Sequence, residues 1–332
     1  MQINQVFELS MVLDSDKFHK VIDKVISREG YLEETEDGYI DQSLSSKGIL
    51  VKFRDSQYKK KIKLIAEPRL VLGCNTPDPD RVIRKLEKRT SEYFGHKYHM
   101  DDFSLSGIVL STDIDVGDRE DVAAYLKVLK RIGKVKGFSP SSYDCFDEGD
   151  SFCLDGNSNG IEFLIYDLEK TLTRQLRDTD TSRKKLKSMM KGSKGLLRAE
   201  VRLAKPKAIR AYTNATNISD QITELSENSR DIFLDVFTQI ISYGDFHKKG
   251  KAVEFVQMNV KDKVMRRKML RLLELIPEKK SLYLAQKSMN CRDIEKVMDS
   301  FAKINISPVT ISKRQEIKHL KCIYDYLVDD KN

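Results

Sequence analysis

The sequence predicts an α+β protein. An antiparallel sheet of the ferredoxin-like, split βαβ type comes first, and a mainly helical C-terminal part with winged-helix character follows. Three observations point there. Over the first 116 residues, β-prone and helix-spaced stretches come in the order β-α-β-β-α-β. Three further β-prone stretches precede the break at Lys205-Pro206. Beyond it the apolar spacing is helical almost throughout.

Residues 6–13 are apolar and β-prone, a first strand. Asp14-Ser15-Asp16 supplies a helix N-cap, and Phe18, Val21, Ile22, Val25 and Ile26 recur at helical spacing until Gly30. Residues 48–53 form a short strand, Asp55-Ser56-Gln57 a turn, and 61–72 a longer strand. Asp78-Pro79-Asp80 opens a second helix, with Val82, Leu86 and Tyr93 as its apolar stripe. Residues 103–116 are a strong strand. Then come a helix over 119–132, strands near 151–154 and 160–166, a charged helical segment to about 191, and a strand over 195–203.

The helix over 229–243 carries Ile232, Phe233, Val236, Phe237, Ile240 and Ile241 on one side. Residues 264–275 form a basic amphipathic helix ending at Ile276-Pro277. Short helices over 281–287 and 292–304, a wing at 307–311 and a last helix over 315–328 complete a winged helix-turn-helix pattern. A plain helical bundle is the blander account of the same spacing. The expected division is 1–205, 206–260 (a helical connector) and 261–332.

The chain has 332 residues, 33% of them charged, and Lys+Arg exceed Asp+Glu by 59 − 51 = 8. That balance favours a polyanionic partner, nucleic acid or an anionic surface, over ordinary solubility charge. Cys74, Cys145, Cys153, Cys291 and Cys322 are odd in number and contain no Cys-x-x-Cys pair, which argues against a disulfide framework or a thiolate zinc site. With no signal-peptide pattern at Met1 and no apolar run of about 20 residues, a cytoplasmic chain with no membrane partner is expected. There is no Gly-rich phosphate loop, so any unwinding must be powered by a partner.

The chemistry concentrates in three stretches. Residues i and i+2 of a strand share a face, so Asp113 and Asp115 point the same way and repel unless a cation or a basic group sits between them. In the strand ending at Leu203, Arg198, Glu200 and Arg202 face away from Ala199, Val201 and Leu203. An acid flanked by arginines suits phosphate and a hard ion, Mg²⁺ or Mn²⁺. The competing account is a solvated, salt-bridged sheet face. Tyr166 ends an apolar run at a strand-to-helix junction, with Lys170 one helical turn on, able to offset charge on a phenolate nucleophile. Tyr98, Tyr143 and Tyr212 compete for that role. His96 and His99 lack the spacing of a strand pair, though His99 could approach an ion. Arg266, Arg267, Lys268, Arg271, Arg292, Lys313 and Arg314 are the basic residues of the C-terminal part expected to meet duplex DNA.

Over roughly residues 103–203 the chain resembles the replication-initiation proteins of rolling-circle plasmids and filamentous phages, the gene II-like group of HUH-related nicking enzymes. The resemblance rests on Asp113 with Asp115, on Leu164-Ile165-Tyr166-Asp167, and on Leu197-Arg198-Ala199-Glu200-Val201-Arg202-Leu203. It implies a nicking and strand-transfer domain in 1–205. Tyr166 would attack an origin phosphodiester, form a 5′-phosphotyrosine and free a 3′-hydroxyl. Glu200 with Asp113 or Asp115 would hold Mg²⁺ or Mn²⁺, and Lys170 would replace the family's lysine two places after the tyrosine, where Leu168 stands here. Single-stranded DNA at the nick, duplex origin DNA, and a host helicase and polymerase are the implied partners. A mobilisation or transposition nickase shares this chemistry. A non-catalytic DNA-binding regulator on a degenerate nickase scaffold is the rival from another class.

Overall fold

The computed structural model describes residues 1–29, 32–178 and 183–328. Strand β1 (Asn4–Leu13) turns Phe7, Leu9 and Met11 onto one buried face. Helix α1 (Ser15–Glu29) follows, started by Asp14, whose carboxylate accepts the Lys17 N–H at 2.8 Å. Gly30, expected to close it, lies outside the described residues. A small hairpin of β2 (Glu33–Thr35) and β3 (Gly38–Asp41) leads to β4 (Ile49–Asp55) and β5 (Lys60–Ala66). Helices α2 (Pro68–Leu72) and α3 (Pro79–Phe94) precede the long β6 (Ser104–Asp115). Helix α4 (Arg119–Leu129) is capped by Asp118. Strands β7 (Ser139–Ser141), β8 (Ser151–Asp155) and β9 (Ile161–Asp167), helices α5 (Leu168–Asp178) and α6 (Arg183–Met190), and β10 (Leu196–Leu203) complete the sheet-forming part.

The rest is mainly helical. It comprises α7 (Pro206–Ile209), α8 (Ile218–Glu227), α9 (Ser229–Ile240), β11 (Phe246–His247), α10 (Lys249–Asn259), α11 (Lys263–Lys279), α12 (Leu282–Ser288), α13 (Ile294–Lys303), β12 (His319–Leu320) and α14 (Ile323–Val328). Helix α9 lays Phe233 and Phe237 toward the sheet, with the Phe237 ring 5.9 Å from that of Phe163. One continuous apolar core runs from Phe7 to Leu327, so these helices cover the sheet rather than standing apart from it.

Among the described residues, ten strands form one antiparallel sheet in the order β2-β3-β4-β5-β1-β6-β10-β9-β8-β7. Strands paired residue to residue share faces, and the two faces differ in chemistry. One carries Phe7, Leu9, Ile62, Leu64, Ile108, Leu110, Phe163, Ile165, Ala199 and Val201, all buried. The other carries Lys52, Lys61, Lys63, Glu8, Asp113, Arg198, Glu200, Arg202 and Tyr166. An antiparallel sheet can leave one face to water, and this one is half-buried along its lysines and arginines and closed over Glu200 and Tyr166.

Four expectations are corrected. The strand over 61–72 stops at Ala66, because Pro68 takes the first position of α2 and Gly73, at φ 70°, closes it. Pro277 does not end its helix. It sits in the last turn of α11, where one lost N–H bond costs little beside the burial of Leu275 and Ile276. Residues 307–311 are no protruding wing: Ser307, Val309, Thr310 and Ile311 are buried, and Ile306 and Ile311 bridge to Asp245 and Lys248. The last helix begins only at Ile323, since His319 and Leu320 pair with β11 instead. The hairpin β2–β3 and strand β7, each short and polar, went unpredicted.

Candidate active site

The register of three neighbouring strands assembles the site. On β6, β10 and β9, Asp113, Arg198 and Tyr166 lie in one cross-strand row, Ser111, Glu200 and Leu164 in the next, and Val109, Arg202 and Glu162 in the third. The Tyr166 hydroxyl donates to Glu200 Oε1 at 2.5 Å. Arg202 donates through Nε and Nη2 to Glu200 Oε2 at 3.0 and 2.7 Å. Arg198 donates through Nε and Nη2 to the two oxygens of Asp113 at 2.6 and 2.8 Å, a bidentate fork. A phenol, two carboxylates and two guanidiniums thus form one band across the sheet.

Burial shapes its electrostatics. Tyr166 is 6% exposed and Glu200 7%. Burial, with the Glu200 charge second, holds the Tyr166 phenol well above its ordinary range. Burial works against charge on Arg198, but its hydrogen bonds to Asp113 and the charges of Asp113, Tyr166 and Glu200 together outweigh that and raise its pKa. Tyr143 lies beside the band, its ring 5.8 Å from the Arg202 guanidinium, and burial and its bond to Glu162 raise its phenol too. Above Tyr166 sits a small second core of Cys153, Leu164, Leu168 and Leu172, with the Phe146 ring 4.6 Å from that of Tyr166. A cleft of about 690 Å³ opens next to this cover, lined in part by Tyr143, Phe146, Cys153 and Arg174.

Tyr166 occupies the expected junction, one residue before the end of β9 and just ahead of α5. Lys170 does not reach it: its ammonium is 2.6 Å from Asp150 Oδ1. The helical turn is present, but a nearer carboxylate claims the charge. Glu200, expected as a metal ligand, instead accepts the Tyr166 hydroxyl and the Arg202 guanidinium. Asp113 and Asp115 share a face, yet Asp115 accepts the Gly117 N–H at 3.0 Å in the turn beyond β6. Asp113, Asp115 and Glu200 do not converge as a ligand set, and the first and last are occupied by guanidiniums. Among the described residues the one group of three His, Cys, Asp or Glu side chains placed to hold a metal is Asp245, His247 and His319. The Asp-x-His spacing at the start of β11 is its sequence signal; His319 enters only through folding. His99 and His96 stay with α3, at Glu87 and Ser91. Tyr212 donates to Asp235 at 2.7 Å, away from the band.

Two basic surfaces accompany the site. Lys52, Arg54, Lys61 and Lys63 line a cleft of about 510 Å³ with Tyr39, on the same sheet face as Arg198 and Arg202. Burial and the charges of Lys63 and Lys59 lower the Lys61 pKa. Farther along the chain, α11 and the α12–α13 turn bring Arg267, Lys268, Arg271 and Arg292 around a cleft of about 650 Å³. Arg266 turns away and donates to the Gln257 carbonyl at 3.4 Å, while Lys313 and Arg314 are exposed outside that cleft. No described helix is long and apolar enough to cross a membrane. Compared with protein-family models, curated proteins and solved structures, the chain finds no match in any of the three.

Proposed function

We propose that this chain nicks and rejoins DNA at a specific origin through a covalent 5′-phosphotyrosine on Tyr166, as an initiator of rolling-circle replication. The observation that carries the reading is the Tyr166 hydroxyl on the Glu200 carboxylate, between Arg198 and Arg202 on a cation-bearing sheet face. The phenol is protonated at rest and needs a base, and Glu200 is the acceptor already in contact. The arginines would exchange carboxylate for phosphate oxygens and offset charge on the in-line transition state. The Tyr166 oxygen would bond to phosphorus, its proton passing to Glu200. The P–O3′ bond would break, and the 3′-oxygen would leave as the priming hydroxyl with a proton from solvent, balanced by the one Glu200 returns to solvent.

Of the acids expected to hold Mg²⁺ or Mn²⁺, Asp113 and Glu200 are paired with arginines and Asp115 accepts the Gly117 N–H, so as placed they do not fit the ion. Phe146 and the small core above Tyr166 would move aside for DNA to reach the hydroxyl. Lys52, Arg54, Lys61 and Lys63 extend the same face as a track for single-stranded DNA. The order β4-β5-β1-β6 with α1 and α3 as crossovers supports the split βαβ reading of the nicking domain. The α11–α12–α13 succession with its basic cleft supports a helical, wingless contact with duplex DNA. A host helicase and polymerase, and a cytoplasmic setting, follow from the same proposal, and a mobilisation or transposition nickase would use the same site.

A second reading has one observation in its favour. The phenol is buried and both acids are neutralised by arginine, as in a site kept for stability while the basic clefts bind DNA. That reading is a non-catalytic regulator. Supercoiled plasmid carrying the chain's own origin, incubated with Mg²⁺ or Mn²⁺, separates the two. The initiator yields open circles with protein on a 5′ end, lost in Tyr166→Phe. The regulator binds the origin and leaves it uncut.

A further inference from the structure

We infer that Asp245, His247 and His319 form a binding site for a divalent transition-metal ion of the zinc class, which clamps the C-terminal segment to the helical layer. The donor set comes first. Two imidazoles and one carboxylate suit Zn²⁺, Co²⁺ or Ni²⁺, whereas Mg²⁺ and Ca²⁺ prefer oxygen alone. One ligating atom from each residue lies within 4.8 Å of the other two, a span that small side-chain rotations close to a metal's reach.

The backbone holds the ligands in place. His247 and His319 face each other directly across the β11–β12 ladder, their rings 4.7 Å apart and 20° from parallel. Asp245 is fixed by its own backbone, its N–H donating to the Asn305 carbonyl at 3.1 Å and its carbonyl accepting the Ser307 N–H at 2.9 Å. Its carboxylate is oriented as well. Oδ1 accepts the Cys322 N–H at 2.8 Å, which leaves Oδ2 turned to His319 Nε2 at 2.9 Å. A second hydrogen bond that fixes a ligating carboxylate is the usual support of a metal site. The His319 side chain is 46% exposed and that of Asp245 20%, so an ion can enter from solvent and keep a water as its fourth partner.

The nearby cations leave room for one. Lys248 donates its ammonium to the Ser312 carbonyl at 2.6 Å, and Lys251 pairs with Glu254 at 3.0 Å. The site joins residues 245–247 to 319, more than seventy positions apart, and closes the segment that leads into α14. It shares no element with the Tyr166 band and stands whether or not that band cuts DNA.

The test uses the full chain, stripped with a chelator and titrated with Co²⁺ while its visible absorption is followed. The proposal expects one equivalent to bind, with the intense bands of a four-coordinate ion, and Zn²⁺ to displace it. Zn²⁺ alone should raise the melting temperature. His319→Gln and His247→Gln should each weaken binding at least as much as loss of an outer-shell partner does, ~10–100-fold, and abolish the thermal shift. His319 is exposed, so its variant keeps the fold and the comparison stays interpretable. No saturable binding in the native chain, or binding and thermal shift unchanged in both variants, overturns the proposal.

Discussion

Replacing Tyr166 by Phe removes one oxygen and leaves the ring in place against Phe146. Glu200 Oε2 keeps both Arg202 bonds, but Oε1 loses the donor at 2.5 Å that satisfies it. A buried carboxylate oxygen left without its donor costs about 2 kcal/mol, within the range for hydrogen bonds to charged groups. For 332 residues, at about 2.1 cal/mol/K per residue, the unfolding entropy near the melting point is about 0.7 kcal/mol/K. The variant should therefore melt about 3 °C below the parent and bind origin DNA with unchanged affinity. If Tyr166 is the nucleophile, nicking falls to background and no protein–DNA adduct survives denaturing electrophoresis. Glu200→Gln, which keeps an acceptor but loses the base, should lower the nicking rate with origin binding intact. An adduct formed by Tyr166→Phe at the parental rate would falsify the assignment and move the nucleophile elsewhere, Tyr143 being the nearest phenol beside the band.

Three further outcomes follow from the same structure. Arg267→Ala with Arg271→Ala should weaken duplex binding across sequences and flatten the log affinity–log salt slope by about 0.9 for each phosphate no longer neutralised, and an unchanged slope would take that cleft out of the DNA interface. Phe237→Ala should destabilise by ~3–5 kcal/mol, because Phe237 is fully buried against Phe163, Phe233 and Tyr324; urea midpoints read the loss, and a cost under about 1 kcal/mol would mean the α9 face does not hold the sheet. Burial first, with charged or hydrogen-bonded neighbours second, raises the phenols of Tyr125, Tyr143, Tyr166 and Tyr212, and burial raises that of Tyr324. A raised pKa favours the folded state while the phenol keeps its proton, so this stability is complete below the ordinary value of about 10 and fades as pH rises above it. Phenolate absorbance should then show these tyrosines ionising only as the chain unfolds at alkaline pH; smooth titration of all 13 near pH ~10 would contradict their burial.

What the sequence determined by itself was local. The strands over 6–13, 103–116 and 195–203, the Asp14 and Asp78 helix starts, and the apolar stripe of α9 were legible because strand and helix periods are written in side-chain order. The same alternation put Arg198, Glu200 and Arg202 on one face before any partner strand was known. Tertiary structure decided who meets whom. Strand register, set by pairing between distant segments, brought Tyr166 to Glu200 and Asp113 to Arg198, and a carboxylate twenty residues upstream took Lys170 from the tyrosine. Residues 307–311 became core and residues 319–320 a strand for the same reason: burial and ladder bonds with the segment at 245–248 outweigh short-range propensity. The Asp245, His247 and His319 cluster exists only through that pairing, since no local rule links side chains so far apart along the chain.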